Sequence, residues 1–224
     1  MPWPASRSSS SACGSRLPSA SARTLVLFDL GGVVCRFLPE RRLERLARAS
    51  GTPAAEVRRL LFESGFSARC DRGELGAVEM HAEACRCLGT RLPYAEFRRL
   101  WASAFEPEPS VLALVERVRR VRATGLLTDN SAVLREALAH ELAEVGRRFD
   151  PLLFSCELRA RKPEPELFRA ALARAGRGPE EVLFVDDVEA NVAAAADLGI
   201  AALHFRGAAA LGRELAAAGL LPST

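Results

Sequence analysis

A few polar residues in this chain follow short apolar runs and carry side chains suited to chemistry. Asp29 follows one run, Thr128 ends a second and the pair Asp186-Asp187 follows a third, while Lys162 lies in a loop between two runs. Each residue taken alone is typical of a helix cap or a solvated turn. Their repeated position at the ends of apolar runs predicts that they meet at one site.

These residue types together suit an attack by a carboxylate on a phosphate group. Two negative charges ~4 Å apart repel by about 4 kcal/mol at an effective dielectric of ~20. A magnesium ion held by the oxygens of Asp29 and Asp187 would offset this repulsion. The Thr128 hydroxyl can donate to a phosphate oxygen, and the Lys162 ammonium can pair with nucleophile and phosphate. The set predicts phosphoryl transfer through an aspartyl-phosphate.

The basic residues of the chain are almost all arginine. Of 31 Lys plus Arg residues, Lys162 is the one lysine; asparagine occurs twice, at Asn130 and Asn191, and glutamine is absent. The planar fork of arginine does not replace a compact ammonium that must contact two groups at once. The retained lysine therefore points to a role that arginine cannot fill.

Strand-like and helix-like segments alternate over most of the chain. Short apolar runs predict strands at 24–28, 125–128, 152–155, 181–185 and 201–205. Helical periodicity is found at 111–121, 132–145, 165–175 and 189–198. Strands that alternate with helices predict a parallel sheet covered on both faces, an α/β core of the Rossmann-like type.

One all-helical block interrupts this alternation directly after the first strand. The pattern is helical from 39 to about 101. It predicts a small helical cap at 36–106, inserted into a core formed by 23–35 and 107–224. Ligands of open α/β sheets bind at the carboxyl ends of the strands, where such a cap would cover them. Residues 1–22, rich in Ser, Ala and Pro, are predicted to be a disordered tail.

Composition excludes several other classes of protein. The 224 residues contain no apolar run of the ~18 residues that a membrane span needs. The net charge of +3 is small and spread along the chain, which excludes a nucleic-acid-binding stripe. The six cysteines form no CxxC pair, which is typical of reduced thiols in a cytoplasmic protein. We expect a monomer or a homodimer.

Four segments resemble the motifs of the haloacid dehalogenase-like superfamily. They are Phe28-Asp-Leu-Gly-Gly-Val-Val34, Leu126-Leu-Thr-Asp-Asn130, Arg161-Lys-Pro-Glu-Pro-Glu-Leu-Phe168 and Val182-Leu-Phe-Val-Asp-Asp-Val-Glu-Ala-Asn191. The similarity is greatest to the branch with the phosphatase half of soluble epoxide hydrolases and bacterial sugar-phosphate phosphatases. It extends from about 24 to 221 and implies a cap of the first kind (C1).

The resemblance implies roles for individual residues. It implies a magnesium site formed by the carboxylates of Asp29, Asp186 and Asp187 and by the backbone carbonyl of Gly31. It also implies that phosphate is held by Thr128, Asp129 and Lys162. Asp29 is then the catalytic nucleophile, and Lys162 is the catalytic residue that orients it. The expected reaction is magnesium-dependent hydrolysis of a small phosphorylated metabolite, with a sugar phosphate as the expected class.

Two positions depart from the pattern of the resembled phosphatases. Gly31 stands where they usually carry a second aspartate that acts as general acid and base, a function worth about 10²–10⁴-fold in rate. We therefore expect better activity on esters with good leaving groups. Asp129 stands where a neutral residue is common, and one hypothesis is that it takes over part of the acid's role.

Three alternatives remain open at this stage. The loss of the acid at Gly31 would also suit a binding or regulatory protein built on a catalytically weakened core. Halide displacement from a haloacid also uses an aspartate nucleophile, but it has no need of the pair Asp186-Asp187. A phospho-acceptor receiver domain carries its acidic pair near the start of a shorter chain, whereas here the pair comes last. Possible substrate contacts in the cap are Arg36, Arg69, Arg72 and Tyr94, although a solvated helix face explains these residues equally well.

Overall fold

The computed structural model describes residues 24–222, so the prediction for the tail at 1–22 lies outside the described residues. Seven strands are present in this range: β1 Leu25–Phe28, β2 Cys35–Phe37, β3 Phe105–Pro107, β4 Ala123–Thr128, β5 Leu152–Phe154, β6 Val182–Asp186 and β7 Ala201–His204. Five of them form a parallel sheet in the order β5-β4-β1-β6-β7. All five predicted strands are found in this sheet, and the predicted α/β fold is confirmed.

Helices fill the intervals between the strands. Between β2 and β3 lie α1 Pro39–Ser50, α2 Ala54–Arg58, a π-helical turn Arg59–Glu63, α3 Phe66–Asp71, α4 Ala77–Cys87 and α5 Tyr94–Ala102. The later helices are α6 Pro109–Arg119, α7 Ala132–Ala137, α8 Ala143–Gly146, α9 Ser155–Leu158, α10 Pro165–Ala175, a 3₁₀ turn Pro179–Glu181, α11 Glu189–Asp197 and α12 Ala208–Ala217. Within the described range, no helix is long and apolar enough to cross a bilayer.

The central strand β1 places Asp29 at the middle of the sheet edge where the strands end. All four of its residues are buried, which explains why its sequence is a continuous apolar run. Its last residue, Phe28, is in register with Leu126 of β4 and Val185 of β6. The backbone N–H of Asp29 still donates to the Val185 carbonyl at 2.9 Å. The ends of β1, β4 and β6 therefore meet at one edge.

A short antiparallel ribbon connects this sheet to the helices between β2 and β3. Strands β2 and β3 pair with Cys35 opposite Pro107 and Phe37 opposite Phe105. The five helices between them are called the helical insertion (residues 39–102) below. The ribbon was not predicted, because strands of three residues are too short to show an alternating pattern.

Two details of the helix prediction were wrong or incomplete. The helix predicted at 132–145 is divided into α7 and α8, with the Leu142 N–H donating to the Ala137 carbonyl at the turn between them. The division is possible because Gly146 lacks a side chain: a Cβ there would lie 2.1 Å from the Leu138 carbonyl oxygen. The last helix, α12, was not predicted and packs against α6.

Candidate active site

The site is organised around Lys162, whose ammonium lies between two carboxylates. Its Nζ is 2.7 Å from Asp29 Oδ1 and 2.7 Å from Asp186 Oδ2. The lysine side chain is only 4% exposed, and its ammonium is paired with both carboxylates. The lysine, which lies in the loop before α10, therefore fixes the position of Asp29 at the end of β1.

Burial and ion pairing set the charges of these groups. Burial raises the pKa of Asp29, the Lys162 ammonium lowers it, and the net result is a pKa of about 6. Burial lowers the pKa of Lys162, but the charges of Asp29 and Asp186 more than offset this, so the lysine pKa is raised. At neutral pH Asp29 is therefore mostly an anion and Lys162 a cation.

Asp186 is held by the protein on both of its carboxylate oxygens. Its Oδ1 accepts hydrogen bonds from the Val188 N–H at 2.8 Å and from Asn191 Nδ2 at 3.0 Å. Its Oδ2 accepts the bond from Lys162 at 2.7 Å. This buried carboxylate thus orients the lysine, and its oxygens are already engaged.

Asp187 lies beside this network and is exposed. Asp29, Asp186 and Asp187 each offer an oxygen atom, and these atoms lie within 4.8 Å of one another. A Cβ on Gly32 would lie 2.1 Å from Asp187 Oδ2, and Gly32 has a φ of +86° that favours glycine. The Asp187 carboxylate therefore sits directly against the backbone that follows Asp29.

This arrangement suits a hard divalent cation. The hydrogen bonds of the turn run from Cys35 N to Leu30 O and from Gly32 N to Cys35 O, so neither uses the Gly31 carbonyl. Carboxylate and carbonyl oxygens are the ligands that magnesium prefers. Because Asp186 already accepts three protein hydrogen bonds, Asp29, Asp187 and the Gly31 carbonyl are the better candidate ligands.

The end of β4 presents a hydroxyl to the same site. Asn130 Nδ2 donates to Thr128 Oγ1 at 2.8 Å, which leaves the hydroxyl hydrogen of Thr128 available for a bound group. The Asn130 N–H in turn donates to Ser155 Oγ at 3.0 Å. Thr128 is thus oriented by an asparagine that is itself held by a buried serine.

Asp129 fixes the loop that carries Lys162. Its two carboxylate oxygens both lie 3.2 Å from the Lys162 backbone N–H, and Arg161 Nε is 3.8 Å from Oδ2. Burial raises the pKa of Asp129, and Lys162 lowers it, with a raised pKa as the result. The carboxylate also lines the cavity of the site, so its predicted part in phosphate binding stays a prediction.

A cavity of about 520 Å³ lies between the sheet edge and the helical insertion. The core lines it with residues that include Asp29, Thr128 and Lys162, and the insertion lines it with residues that include Arg42, Asp71 and Trp101. None of the four cap residues named as possible substrate contacts lines this cavity. They bind elsewhere: Arg36 to Glu106, Arg69 to Glu74 and Glu83, Arg72 to Glu164, and Tyr94 to Glu136.

The structure thus brings together every residue that the sequence analysis placed at the catalytic, phosphate and metal positions. It adds residues that were missed: Gly32, Arg42, Asp71, Asn130, Ser155 and Asn191. A signal for two of them was present, because Asn130 and Asn191 are the two asparagines of the chain. Lysine and asparagine are both rare in this chain, and Lys162, Asn130 and Asn191 all lie at the site.

The sequence of residues 24–199 matches the haloacid dehalogenase-like hydrolase family. The chain belongs to this family, and the predictions of the family and of a hydrolase are confirmed. A solved haloacid dehalogenase family enzyme from Bacteroides thetaiotaomicron, in complex with magnesium and inorganic phosphate, superposes with a TM-score of 0.67. It is 23% identical and the match covers 81% of this chain and 93% of that one, which supports a common fold.

Two curated proteins are similar in sequence. Bifunctional epoxide hydrolase 2 of Rattus norvegicus is 30% identical over 122 residues, 53% of this chain and 22% of that protein. D-ribitol-5-phosphate phosphatase of Bacteroides thetaiotaomicron is 25% identical over 180 residues, 78% of this chain and 87% of that protein. The chain spans about a quarter of the length of the rat and mouse epoxide hydrolases, 22% and 26%.

Proposed function

We propose that this chain is a magnesium-dependent phosphatase that hydrolyses a small phosphorylated metabolite through an aspartyl-phosphate on Asp29. A sugar phosphate is the expected substrate class, in keeping with the D-ribitol-5-phosphate phosphatase among its relatives. The observation that carries the proposal is the buried Lys162 ammonium, 2.7 Å from Asp29 Oδ1, beside Asp187 at the same sheet edge.

In the first step an oxygen of Asp29 attacks the phosphorus, and the bond from phosphorus to the leaving oxygen breaks. The leaving oxygen keeps the electron pair and takes a proton from water, because Gly31 offers no acidic side chain. Thr128 donates its hydroxyl hydrogen to a phosphate oxygen. Lys162 holds Asp29 in place during the attack.

In the second step a water molecule attacks the same phosphorus, and the bond from phosphorus to the Asp29 oxygen breaks. Inorganic phosphate leaves with the oxygen of that water, one proton of the water neutralises the hydroxide left by the first step, and Asp29 returns to the ion pair with Lys162. Magnesium, held by Asp29, Asp187 and the Gly31 carbonyl, would supply positive charge that offsets the repulsion between carboxylate and phosphate. The protein's own part is to bind, orient and shield the reacting groups.

We also propose that the chain divides into a core and a cap near the predicted boundaries, 36 and 106. The helical insertion begins and ends at the β2–β3 ribbon and lines the outer side of the cavity. In this division the core performs the chemistry, and the cap excludes water and selects the substrate.

A second candidate function is binding without turnover. It is favoured by Gly31, where a Cβ would already lie 3.3 Å from the Phe105 ring, so the position of the missing acid is partly filled. A binding protein of this kind would retain the phosphate site and lack measurable hydrolysis.

The test is phosphate release from a panel of sugar phosphates and p-nitrophenyl phosphate, with magnesium and with EDTA. The Asp29→Asn variant removes the nucleophile. The matched control is Asp197→Asn, which changes a carboxylate at the far end of α11. We expect metal-dependent release that Asp29→Asn lowers by at least ~10³-fold and that Asp197→Asn leaves unchanged. If folded wild-type protein releases no more phosphate than the Asp29→Asn variant, the binding function is supported instead.

A further inference from the structure

Arg42 of α1 is a buried cation that has no ion-pair partner within the described part of the chain. The residue is 5% exposed, yet its side chain borders the cavity. Its Nε donates to the Trp101 carbonyl at 2.7 Å, whereas its Nη2 is buried and has no hydrogen-bond partner among the described residues. A buried donor without an acceptor is costly, and a buried charge without a partner is more so.

Aromatic rings surround the guanidinium. Its Cζ lies 4.4 Å from the centre of the Trp101 ring, 5.5 Å from that of Phe105 and 5.9 Å from that of Phe37. Rings stabilise a cation through their faces but do not accept a strong hydrogen bond. Burial lowers the pKa of Arg42 to about 10, which still leaves it charged at neutral pH. The guanidinium is thus fixed as a cation whose open donor needs an acceptor that enters the cavity.

The guanidinium belongs to the helical insertion, whereas the catalytic carboxylates belong to the core. Among the described residues, Asp71 is the charged group whose field contributes to the pKa of Arg42, and Asp71 also belongs to the helical insertion. Asp29, by contrast, pairs with Lys162 of the core at 2.7 Å. The cavity is therefore lined by Lys162 on the side of the core, called the core end below, and by Arg42 on the side of the helical insertion, called the insertion end below.

We propose that the substrate carries a second anionic group, a carboxylate or a second phosphate, which binds Arg42 while the phosphate to be cleaved lies at Asp29. This inference rests on the proposed phosphatase function and narrows its substrate class. A guanidinium with open N–H donors is the side chain best matched to carboxylate and phosphate oxygens. Asp71, which lines the same cavity, would accept hydrogen bonds from substrate hydroxyls.

The test uses pairs of phosphate esters that differ at the far end only. 3-Phosphoglycerate is compared with glycerol 3-phosphate, and 6-phosphogluconate with sorbitol 6-phosphate, so that two chain lengths are sampled. For at least one pair we expect kcat/KM to be about tenfold or more higher for the acid than for the alcohol. Fructose 1,6-bisphosphate against fructose 6-phosphate tests a second phosphate in the same way.

The Arg42→Met variant should lower this acid-to-alcohol ratio at least tenfold, mainly through KM. Arg42→Lys, which keeps the charge but not the fork, should give an intermediate ratio. The control is Arg59→Met, which removes an arginine of the same insertion that is paired with Glu56 and does not line the cavity. It should change the ratio less than twofold.

Each outcome separates this inference from the proposed function. Hydrolysis of all esters with equal kcat/KM within every pair would overturn the second-anion site and leave the phosphatase intact. No hydrolysis of any ester, p-nitrophenyl phosphate included, would remove the proposed function itself. If Arg42→Met does not fold, the wild-type ratios and the Arg42→Lys variant still decide, because a ratio of one in both contradicts the inference.

Discussion

The charged side chains at the two ends of the cavity differ in how they are paired. At the core end the Lys162 ammonium contacts two carboxylates at 2.7 Å each, and Asp186 accepts three protein hydrogen bonds. At the insertion end Arg42 Nη2 has no partner among the described residues, and the nearby Asp71 carboxyl has a raised pKa. The charges of Lys162 and Asp186 at the core end are therefore paired within the protein, whereas Arg42 at the insertion end has no ion-pair partner among the described residues.

This difference separates two tasks of a binding cavity. Groups that must be aligned for bond formation are held by the protein before the substrate arrives, which lowers the cost of alignment during the reaction. Groups that recognise a substrate must keep some of their donors and acceptors open. Substitutions at the core end should therefore affect kcat, and substitutions at the insertion end should affect substrate choice and stability.

The largest expected effect is that of Lys162→Arg. A planar fork cannot reproduce the two contacts of a compact ammonium that is 4% exposed, so we expect kcat to fall ~10³-fold while the protein stays folded. Phosphate release under saturating substrate and magnesium measures it. Arg169→Lys, an exposed residue of α10, is the reverse exchange and should keep kcat within about twofold. A Lys162→Arg variant with more than about a tenth of the activity would show that charge alone suffices at the core end.

A smaller effect is expected from Gly31→Asp, which adds the acid that the core end lacks. The Cβ would meet the Phe105 ring at 3.3 Å, so the ring must move by a few tenths of an ångström. We expect the rate on an alkyl phosphate to rise about tenfold, with less than twofold change on p-nitrophenyl phosphate, whose leaving group needs no proton. Gly31→Ala controls for the added bulk. Equal gains on both esters would show that the missing acid is not limiting.

The smallest effect concerns Asp71 and the pH dependence of stability. Burial raises the pKa of Asp71 from 3.8 to about 7, Arg161 and Arg42 oppose this, and Asp129 adds to it. Because the folded state holds the proton more tightly, Asp71 lowers stability progressively as pH rises from about 4 to about 7. Asp71→Asn should therefore raise Tm by ~2–4 °C at pH 8 and by less at pH 5.

Thermal unfolding followed by circular dichroism at both pH values measures this effect. Asp197→Asn, at the far end of α11, should shift Tm by less than about 1 °C at either pH, on the order of a surface substitution. A gain for Asp71→Asn that is equal at pH 5 and pH 8 would mean that the Asp71 carboxyl is ionised throughout. The pKa of Asp71 would then not be raised in the folded protein.

The parallel sheet could be predicted because its strands are buried on both faces and read as apolar runs. The ribbon of β2 and β3 could not, since three residues carry no period. The break between α7 and α8 depends on the close approach of Gly146 to the Leu138 carbonyl. Such a contact between chain segments leaves no mark in local periodicity.

The core end of the site was also predictable, because its residues follow strands whose ends meet at one edge. Arg42 was not, since an arginine on an amphipathic helix is usually solvated and this chain holds 31 Lys plus Arg residues. Its burial depends on Trp101 and Phe105, and Trp101 is 59 residues away along the chain. A residue such as Arg42, which is buried by distant parts of the chain, therefore needs tertiary structure to be found.

The β2–β3 ribbon has a consequence for how this architecture can change. The insertion leaves and re-enters the core at adjacent points, with Cys35 opposite Pro107. The entropy cost of closing a loop between fixed points grows only with the logarithm of its length, about 0.6 kcal/mol for each doubling. A shorter or longer insertion could thus replace this one at little cost to the core. An exchange of the insertion would thus leave Asp29, Thr128 and Lys162 in their places at the sheet edge.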